Sequence, residues 1–197
     1  MNLMLKYQMA MEVLSNDIDT LIKEYVNVNN YNPVNHIESR IKTLKSAYDK
    51  LDRKGYELTD ENLYLHIKDM IGYRIVCNFL SEVPDVVKII ESSKQLKIVE
   101  RKDYITHPKE TGYLSYHLIV AVPIYLSTGV EYVNAEIQIR TLAMNFWAAL
   151  DHKIQYKFPS ENIPQEVADE LYDISLKARQ LDSRMVELND IMNKYKD

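Results

Sequence analysis

Lys42, Ser46, Lys50 and Arg53 follow one another at steps of four, four and three, a spacing that a helix gathers onto one face. At ~100° per residue they fill a sector of about 80°, opposite Ile41, Leu44, Tyr48 and Leu51. Three cations and a hydroxyl so placed suit a polyphosphate; a solvated basic surface is the plainer use of the same pattern. Farther along, Ala135-Glu136-Ile137-Gln138-Ile139-Arg140 alternates strictly, so a strand puts Glu136, Gln138 and Arg140 on one side and three apolar residues on the other. Asp69 stands at the head of another strand-like run. Asp69 and Glu136 could therefore converge on Mg²⁺, which takes few carboxylates together with phosphate oxygens. A salt-bridge ladder with Arg74 and Arg140 would use the same residues. The third candidate is Asp103 to His117, a link through Pro108, Lys109 and Gly112 that carries three tyrosines. Such a ring can stack on a nucleobase beside a phosphate-binding lysine, or can serve packing alone.

Composition narrows the chemistry. The 197 residues hold four glycines, where ~7% usage would give roughly fourteen, and no two of the four are near each other. Glycine-rich phosphate cradles are thereby excluded, and any phosphate must be gripped by Lys and Arg side chains. A formal net charge of -5 disfavours non-specific nucleic-acid binding. The single cysteine, Cys77, lies in the apolar run IVCNF and reads as a buried thiol of a reducing compartment. No histidine pair has zinc-ligand spacing, and there is no G-x-S-x-G elbow and no His-Asp dipeptide of metal-dependent phosphohydrolases. The longest apolar run, Leu118 to Leu126, is far short of a membrane span, so a cytoplasmic protein is expected.

The elements that must position these residues are legible as periodicities. Met4, Tyr7, Met11, Leu14, Ile18, Leu21 and Tyr25 form a helical seam that the Asn-rich residues 27 to 35 end. Residues 36 to 54 read as a second helix and residues 55 to 68 as a link closed by a short helical or irregular stretch. Ile71 to Phe79, Leu96 to Tyr104, Leu114 to Tyr125 and Val130 to Arg140 read as strands. A helix at 83 to 93 separates the first two, and Ser-Thr-Gly at 127 to 129 turns a hairpin between the last two. Helix 141 to 154 follows. Val167, Leu171, Ile174, Ala178, Leu181, Met185, Leu188, Met192 and Tyr195 then repeat a heptad seam that packs inside the chain, on the other terminal helix or on the sheet, or also between subunits. The expected class is α+β, a mixed sheet flanked by helices within one domain: 1–34 as N-terminal helix and link, 36–157 as core, 163–197 as C-terminal heptad helix.

Taken in order, these segments resemble the synthetase domain of the RelA/SpoT family, specifically its small single-domain alarmone synthetases, over residues 36 to about 157. The residues that carry the resemblance are R-x-K-x-x-x-S-x-x-x-K-x-x-R at Arg40 to Arg53, Asp69-x-x-Gly72-x-Arg74, Lys109-Glu110-Thr111-Gly112-Tyr113 with Ser115 and His117, and Ala135 to Thr141 running into Met144-Asn145-Phe146-Trp147-Ala148. The resemblance implies a nucleotidyltransferase-like sheet and transfer of the β,γ-pyrophosphate of ATP to the ribose 3′-hydroxyl of GDP or GTP. It implies that Arg40 and Arg74 sandwich adenine and that Lys42, Ser46, Lys50 and Arg53 meet the ATP phosphates. Tyr113 would stack on guanine, Asn145 read its edge, and Lys109 and His117 lie near the acceptor's phosphates. Asp69 and Glu136 would hold Mg²⁺, with Glu136 also taking the 3′-hydroxyl proton. Gln138 and Arg140 receive no chemistry beyond supporting the polar face.

Leu114, where many relatives carry a polar or basic residue, leaves the preference among GMP, GDP and GTP open. His36-Ile37-Glu38-Ser39 lacks the Phe and Thr of a regulatory (p)ppGpp cleft, so strong product activation is not expected. The family's small members are homotetramers, in keeping with the heptad seams, and the short chain without a His-Asp motif implies no hydrolase domain. Two other readings use the same fold: a pyrophosphotransferase acting on tRNA 3′ ends, which the acidic balance disfavours, and a non-catalytic nucleotide- or RNA-binding module, which gains nothing from two carboxylates beside phosphate.

Overall fold

The computed structural model describes residues 2–157 and 163–195. Residue 1 and residues 196–197, the ends of the first and last expected segments, lie outside the described residues. The chain opens with α1 (Leu3–Asn29), capped by the Asn2 side chain accepting from the Met4 amide and ended by Asn30 in the left-handed region at φ 51°. Its expected seam is turned inward: Tyr7, Leu14 and Ile18 are buried, and Met4, Met11, Leu21 and Tyr25 pack beside them. Among the described residues this helix lies mainly on the sheet and against α4 (Val83–Glu91), and the C-terminal helix packs mainly on the helix that precedes it.

The sheet has the order β1-β2-β5-β4-β3, with β1 at Val34–Ile41, β2 at Ile71–Cys77, β3 at Lys97–Asp103, β4 at Tyr116–Leu126 and β5 at Gly129–Thr141. The β2–β5 pair is parallel and the other three pairs are antiparallel. Strands β4 and β5 meet through a two-residue turn at Ser127 and Thr128, with Leu126 opposite Gly129. Ile71, Tyr73 and Ile75 of β2, Ala135, Ile137 and Ile139 of β5, and Leu118, Val120 and Val122 of β4 fill the face under α1 and α4. The period of two then places Gly72, Arg74, Glu136, Gln138 and His117 together on the opposite face. Strand β5 is central.

One expected element is corrected. Residues 36 to 54 are not one helix: β1 takes residues 34 to 41, and the helix α2 spans only Leu44–Arg53, capped by the Thr43 hydroxyl accepting from the Ser46 amide. Arg40 is thus a strand residue and Lys42 lies ahead of the helix cap. Strand β1 is an edge strand whose residues from Asn35 to Arg40 are mostly solvated on both faces, so no alternation of burial marks it in sequence. Ile37 and Ile41, four apart among charges, mimic a helical period instead. The apolar side of α2 is correspondingly narrower, with Ala47 and Leu51 buried and Leu44 exposed. The link to β2 contains α3 (Asp60–His66), capped by Thr59.

After β5 come α5 (Leu142–Lys157) and α6 (Gln165–Asn193). The Thr141 hydroxyl accepts from the Met144 amide and donates to Asp182 of α6 at 2.7 Å, and the Trp147 indole donates to the Leu171 carbonyl at 2.8 Å. These bonds and a second apolar cluster of Trp147, Ala148 and Leu171 pin the two helices together. The outer half of the α6 seam, Leu181, Met185, Leu188 and Met192, is exposed, as is Tyr195 just beyond the helix. Among the described residues no helix is long and apolar enough to cross a membrane.

Candidate active site

The polar face of the sheet floors a cleft of about 480 Å³. Its lining includes Glu38, Ser39 and Arg40 of β1, Gly72 and Arg74 of β2, and Glu136, Gln138 and Arg140 of β5, with Asp69 at one end and Tyr113 at the other. Residues 148, 149 and 151–153 of α5 form a wall. The sequence reading does not include that wall, although its near i, i+3, i+4 spacing on a helix entering the site is the available signal.

Two of the α2-region cations converge on one carboxylate. Lys42 donates to Asp69 Oδ2, and Lys50 Nζ lies 2.9 Å from the same atom. Burial alone raises the Asp69 carboxyl, but the two ammonium groups outweigh it and hold the group at about 2. The other oxygen, Oδ1, is buried and has no hydrogen-bond partner. Asp69 therefore pairs with Lys42 and Lys50, not with Arg74 and Arg140 as a salt-bridge ladder would have it. Ser46 and Arg53 are exposed on the same side of α2, and the Arg53 Nε donates to the Asp49 carbonyl.

Arg40 and Arg74 come from adjacent strands. Arg40 pairs with Gly72 and Arg74 with Glu38, which makes the two arginines diagonal neighbours on one face. The Arg40 side chain crosses over Gly72, where an added Cβ would lie at an ordinary van der Waals distance of 3.6 Å from Arg40 Cγ. The Arg74 guanidinium donates to Glu38 Oε2 at 2.7 Å, while its Nε is buried without a partner. Glu38 is not anticipated as its counter-ion in the sequence, because β1 is not anticipated as a strand.

Glu136 is held at both oxygens. Gln138 Nε2 donates to Oε2 at 2.7 Å, and His117 Nδ1 lies 3.3 Å from Oε1. Burial pushes this carboxyl up, but the contacts with His117 and Gln138 outweigh burial and keep it below the ordinary glutamate value. Asp69 is close enough that its charge acts against ionisation of Glu136. A divalent cation fits such a pair: two nearby carboxylates, one with an unpaired buried oxygen. No cluster of three or more His, Cys, Asp or Glu ligands occurs among the described residues, and a Mg²⁺ held by one or two carboxylates completes its shell with water and phosphate oxygens.

At the other end, Lys109 Nζ stands 4.7 Å from the Tyr104 ring centroid and 4.9 Å from that of Tyr113. The Tyr113 ring contacts Trp147 edge-on at 6.3 Å and His117 at 5.8 Å, so it belongs both to the cleft and to the second apolar cluster. Gly112, at φ 85°, brings the loop against α6, where an added Cβ would lie 2.3 Å from Ser175 Oγ. Asn145, on the first turns of α5, is not among the residues that line the cleft, and its buried Oδ1 has no hydrogen-bond partner among the described residues. Cys77 is remote from this chemistry: it is fully buried, and burial pushes its thiol up to about 12.

This arrangement of cations, carboxylates and rings can be compared with known proteins. The family model described as a region found in RelA / SpoT proteins matches residues 39–161. GTP pyrophosphokinase YwaC of Bacillus subtilis is 43% identical over 185 residues, covering 94% of this chain and 88% of that protein. The crystal structure of small alarmone synthetase 2 from Bacillus subtilis superposes with a TM-score of 0.84 at 41% identity, covering 94% of this chain and 95% of that one. The structure of small alarmone synthetase 1 from the same organism, bound to its product pppGpp, gives 0.85 at 34% identity, with 93% of each chain covered. Sequence and fold agree, and the chain belongs to the RelA/SpoT family, alongside its small alarmone synthetases.

Proposed function

We propose that this protein synthesises the alarmone (p)ppGpp, moving the β,γ-pyrophosphate of ATP to the ribose 3′-hydroxyl of GDP or GTP, with GMP as a further candidate acceptor, and releasing AMP. The observation that carries the reading is the division of one cleft into a cation-rich end at Asp69, Lys42 and Lys50 and an aromatic end at Tyr113, with Glu136 on the central strand between them. The relatives' names and the pppGpp bound to one of them support the same reaction.

In this reading Arg40 and Arg74 clasp adenine between their guanidinium planes, and Lys42, Ser46, Lys50 and Arg53 meet the phosphates. Tyr113 stacks on guanine, and the unpaired Asn145 Oδ1 accepts from an N–H at the base edge. Lys109 and His117 approach the acceptor's phosphates. Glu136, kept ionised by Gln138 and His117, takes the proton of the 3′-hydroxyl. The O3′–Pβ bond forms as the bond from Pβ to the α,β-bridging oxygen breaks, and that oxygen leaves with AMP. Asp69 and Glu136 would hold Mg²⁺, which supplies neutralisation of phosphate charge when bound. Catalysis is then mainly positioning and charge neutralisation.

The chain acts as one synthetase domain, with residues 36–157 as its catalytic core, in cytoplasmic stringent-response signalling, without a membrane partner and with RNA binding disfavoured by the net charge of -5. The exposed outer seam of α6 supports association with further copies of the chain, for which the homotetramer implied by the resemblance is the proposed form. The test is product analysis with ATP, Mg²⁺ and GMP, GDP or GTP in parallel, with a tRNA arm beside them. AMP and a 3′-pyrophosphorylated guanosine nucleotide are expected; AMP in none of the guanosine reactions refutes the proposal, and AMP with tRNA alone replaces it. Glu136→Gln should lose about 10²–10⁴-fold in turnover while still binding both nucleotides.

A further inference from the structure

Five side chains on the cleft floor close into a ring of four hydrogen bonds and one nitrogen–carboxylate contact. Gln138 Nε2 donates to Glu136 Oε2 at 2.7 Å, and Arg140 donates to Gln138 Oε1 at 2.9 Å. The same Arg140 nitrogen donates to the Tyr113 hydroxyl, which lies 2.9 Å from His117 Nε2; His117 Nδ1 returns to Glu136 Oε1 at 3.3 Å. Arg140 is only 4% exposed, and its Nε donates to the fully buried Ser115 hydroxyl at 3.3 Å. Its partners are neutral oxygens, and among the described residues it forms no ion pair with a carboxylate. A buried guanidinium is costly, so this one has to be held by the network it serves.

Resting on the functional reading above, we infer that Arg140 and the Tyr113 hydroxyl are positioning residues for Glu136. The ring couples the aromatic side chain that receives the acceptor base to the carboxylate that takes the acceptor's proton. Closed polar networks of this kind are rigid because every member is satisfied. With Arg140 donating to the phenol oxygen, the phenol proton is directed to His117 Nε2, and a neutral imidazole completes the ring as its Nδ1–H tautomer.

Tyr113→Phe keeps the stacking ring and removes one link; Arg140→Met removes another at similar length. Both are expected to lower kcat about 10- to 100-fold, the usual cost of losing a supporting partner, with the acceptor KM of Tyr113→Phe within about threefold of wild type. Arg140→Lys, which keeps a cationic donor, should recover part of the Arg140→Met loss. Because both links belong to one ring, the double variant should lose no more than the worse single. Wild-type kcat in Tyr113→Phe, losses that multiply, or a change in KM alone overturns the inference. If Arg140→Met fails to fold, Tyr113→Phe and Arg140→Lys decide it.

An activity-independent arm is ¹⁵N spectroscopy of the histidines, at a pH high enough to neutralise the imidazole, with His117 assigned by its loss in His117→Asn. The Nδ1–H tautomer is expected, with its Nε2 signal displaced in Tyr113→Phe; the Nε2–H tautomer breaks the ring as described. Absence of AMP from wild-type protein with every guanosine acceptor would instead strike the functional reading, while the ¹⁵N signals would still decide whether the ring exists.

Discussion

Asp69→Asn separates two roles that the same carboxylate plays. Lys42 and Lys50 both reach Oδ2, and the carboxyl is held at about 2 against an ordinary 3.8. At ~1.4 kcal/mol per pH unit this is about 2 kcal/mol of folding stability at neutral pH. The group is mostly buried, so the value needs little reduction for solvent screening. Because the folded-state value is depressed, the contribution is fully present above about 3.8 and is lost as pH falls through about 2. Asp69→Asn should therefore unfold about 4–8 °C below wild type at pH 7, with the gap constant from pH 8 to 5 and closing only below pH 4. Thermal unfolding followed by circular dichroism across that range is the assay. A gap below 1 °C, or one that closes between pH 7 and 5, would refute the assignment of the stabilisation to this ion-paired carboxylate. The same variant frees Lys42 and Lys50, so calorimetry should show metal-free ATP binding at least as tightly as to wild type while turnover with Mg²⁺ collapses. Weaker metal-free binding would contradict the view that Asp69 is the counter-ion which ATP phosphates displace.

Gly112→Ala places a Cβ at φ 85° and 2.3 Å from Ser175 Oγ, so it should raise the acceptor KM about tenfold or more with the ATP KM little changed; initial-rate kinetics read this, and Ser175→Gly should recover part of the loss. The Cys77 thiol, pushed up to about 12 by burial, should resist a disulfide reagent at pH 8 and react once on unfolding. Leu188→Asp, on the exposed α6 seam, should reduce the mass measured by light scattering without lowering helix content, whereas an unchanged mass would place the subunit contact elsewhere.

The parts of this molecule that sequence discloses are those whose burial has a period. The α1 seam and the β5 alternation each carry a one-sided environment, and the structure buries those sides. Strand β1 has water on most of its length and leaves no such trace, which is why its sequence puts Arg40 on a helix and leaves Glu38 unnoticed. Residue types suggest that Lys42, Lys50, Asp69 and Glu136 share a site. They do not indicate which cation meets which carboxylate, since that depends on where α2 is set down beside the turn before β2. The ring through Arg140 is equally hidden, because it requires His117 opposite Gln138 in the β4–β5 register. The wall from α5 depends on how α6 anchors that helix through Asp182 and Leu171.

The register of β5 also sets which changes of chain length the protein survives. Removing or inserting one residue between Val133 and Glu136 would exchange Glu136, Gln138 and Arg140 with Ala135, Ile137 and Ile139, sending three polar groups into the core and three apolar ones into the cleft. Such a deletion damages folding and chemistry at once, so no compensating mutation elsewhere can rescue one without the other. The Ser127-Thr128 turn and the loop from Tyr104 to Gly112 lie outside the β4–β5 ladder and can change length without that exchange. Insertions are therefore admitted at two places, the hairpin turn at the far end of the β4–β5 ladder and the loop at the acceptor end of the cleft, while the central strand admits only substitution.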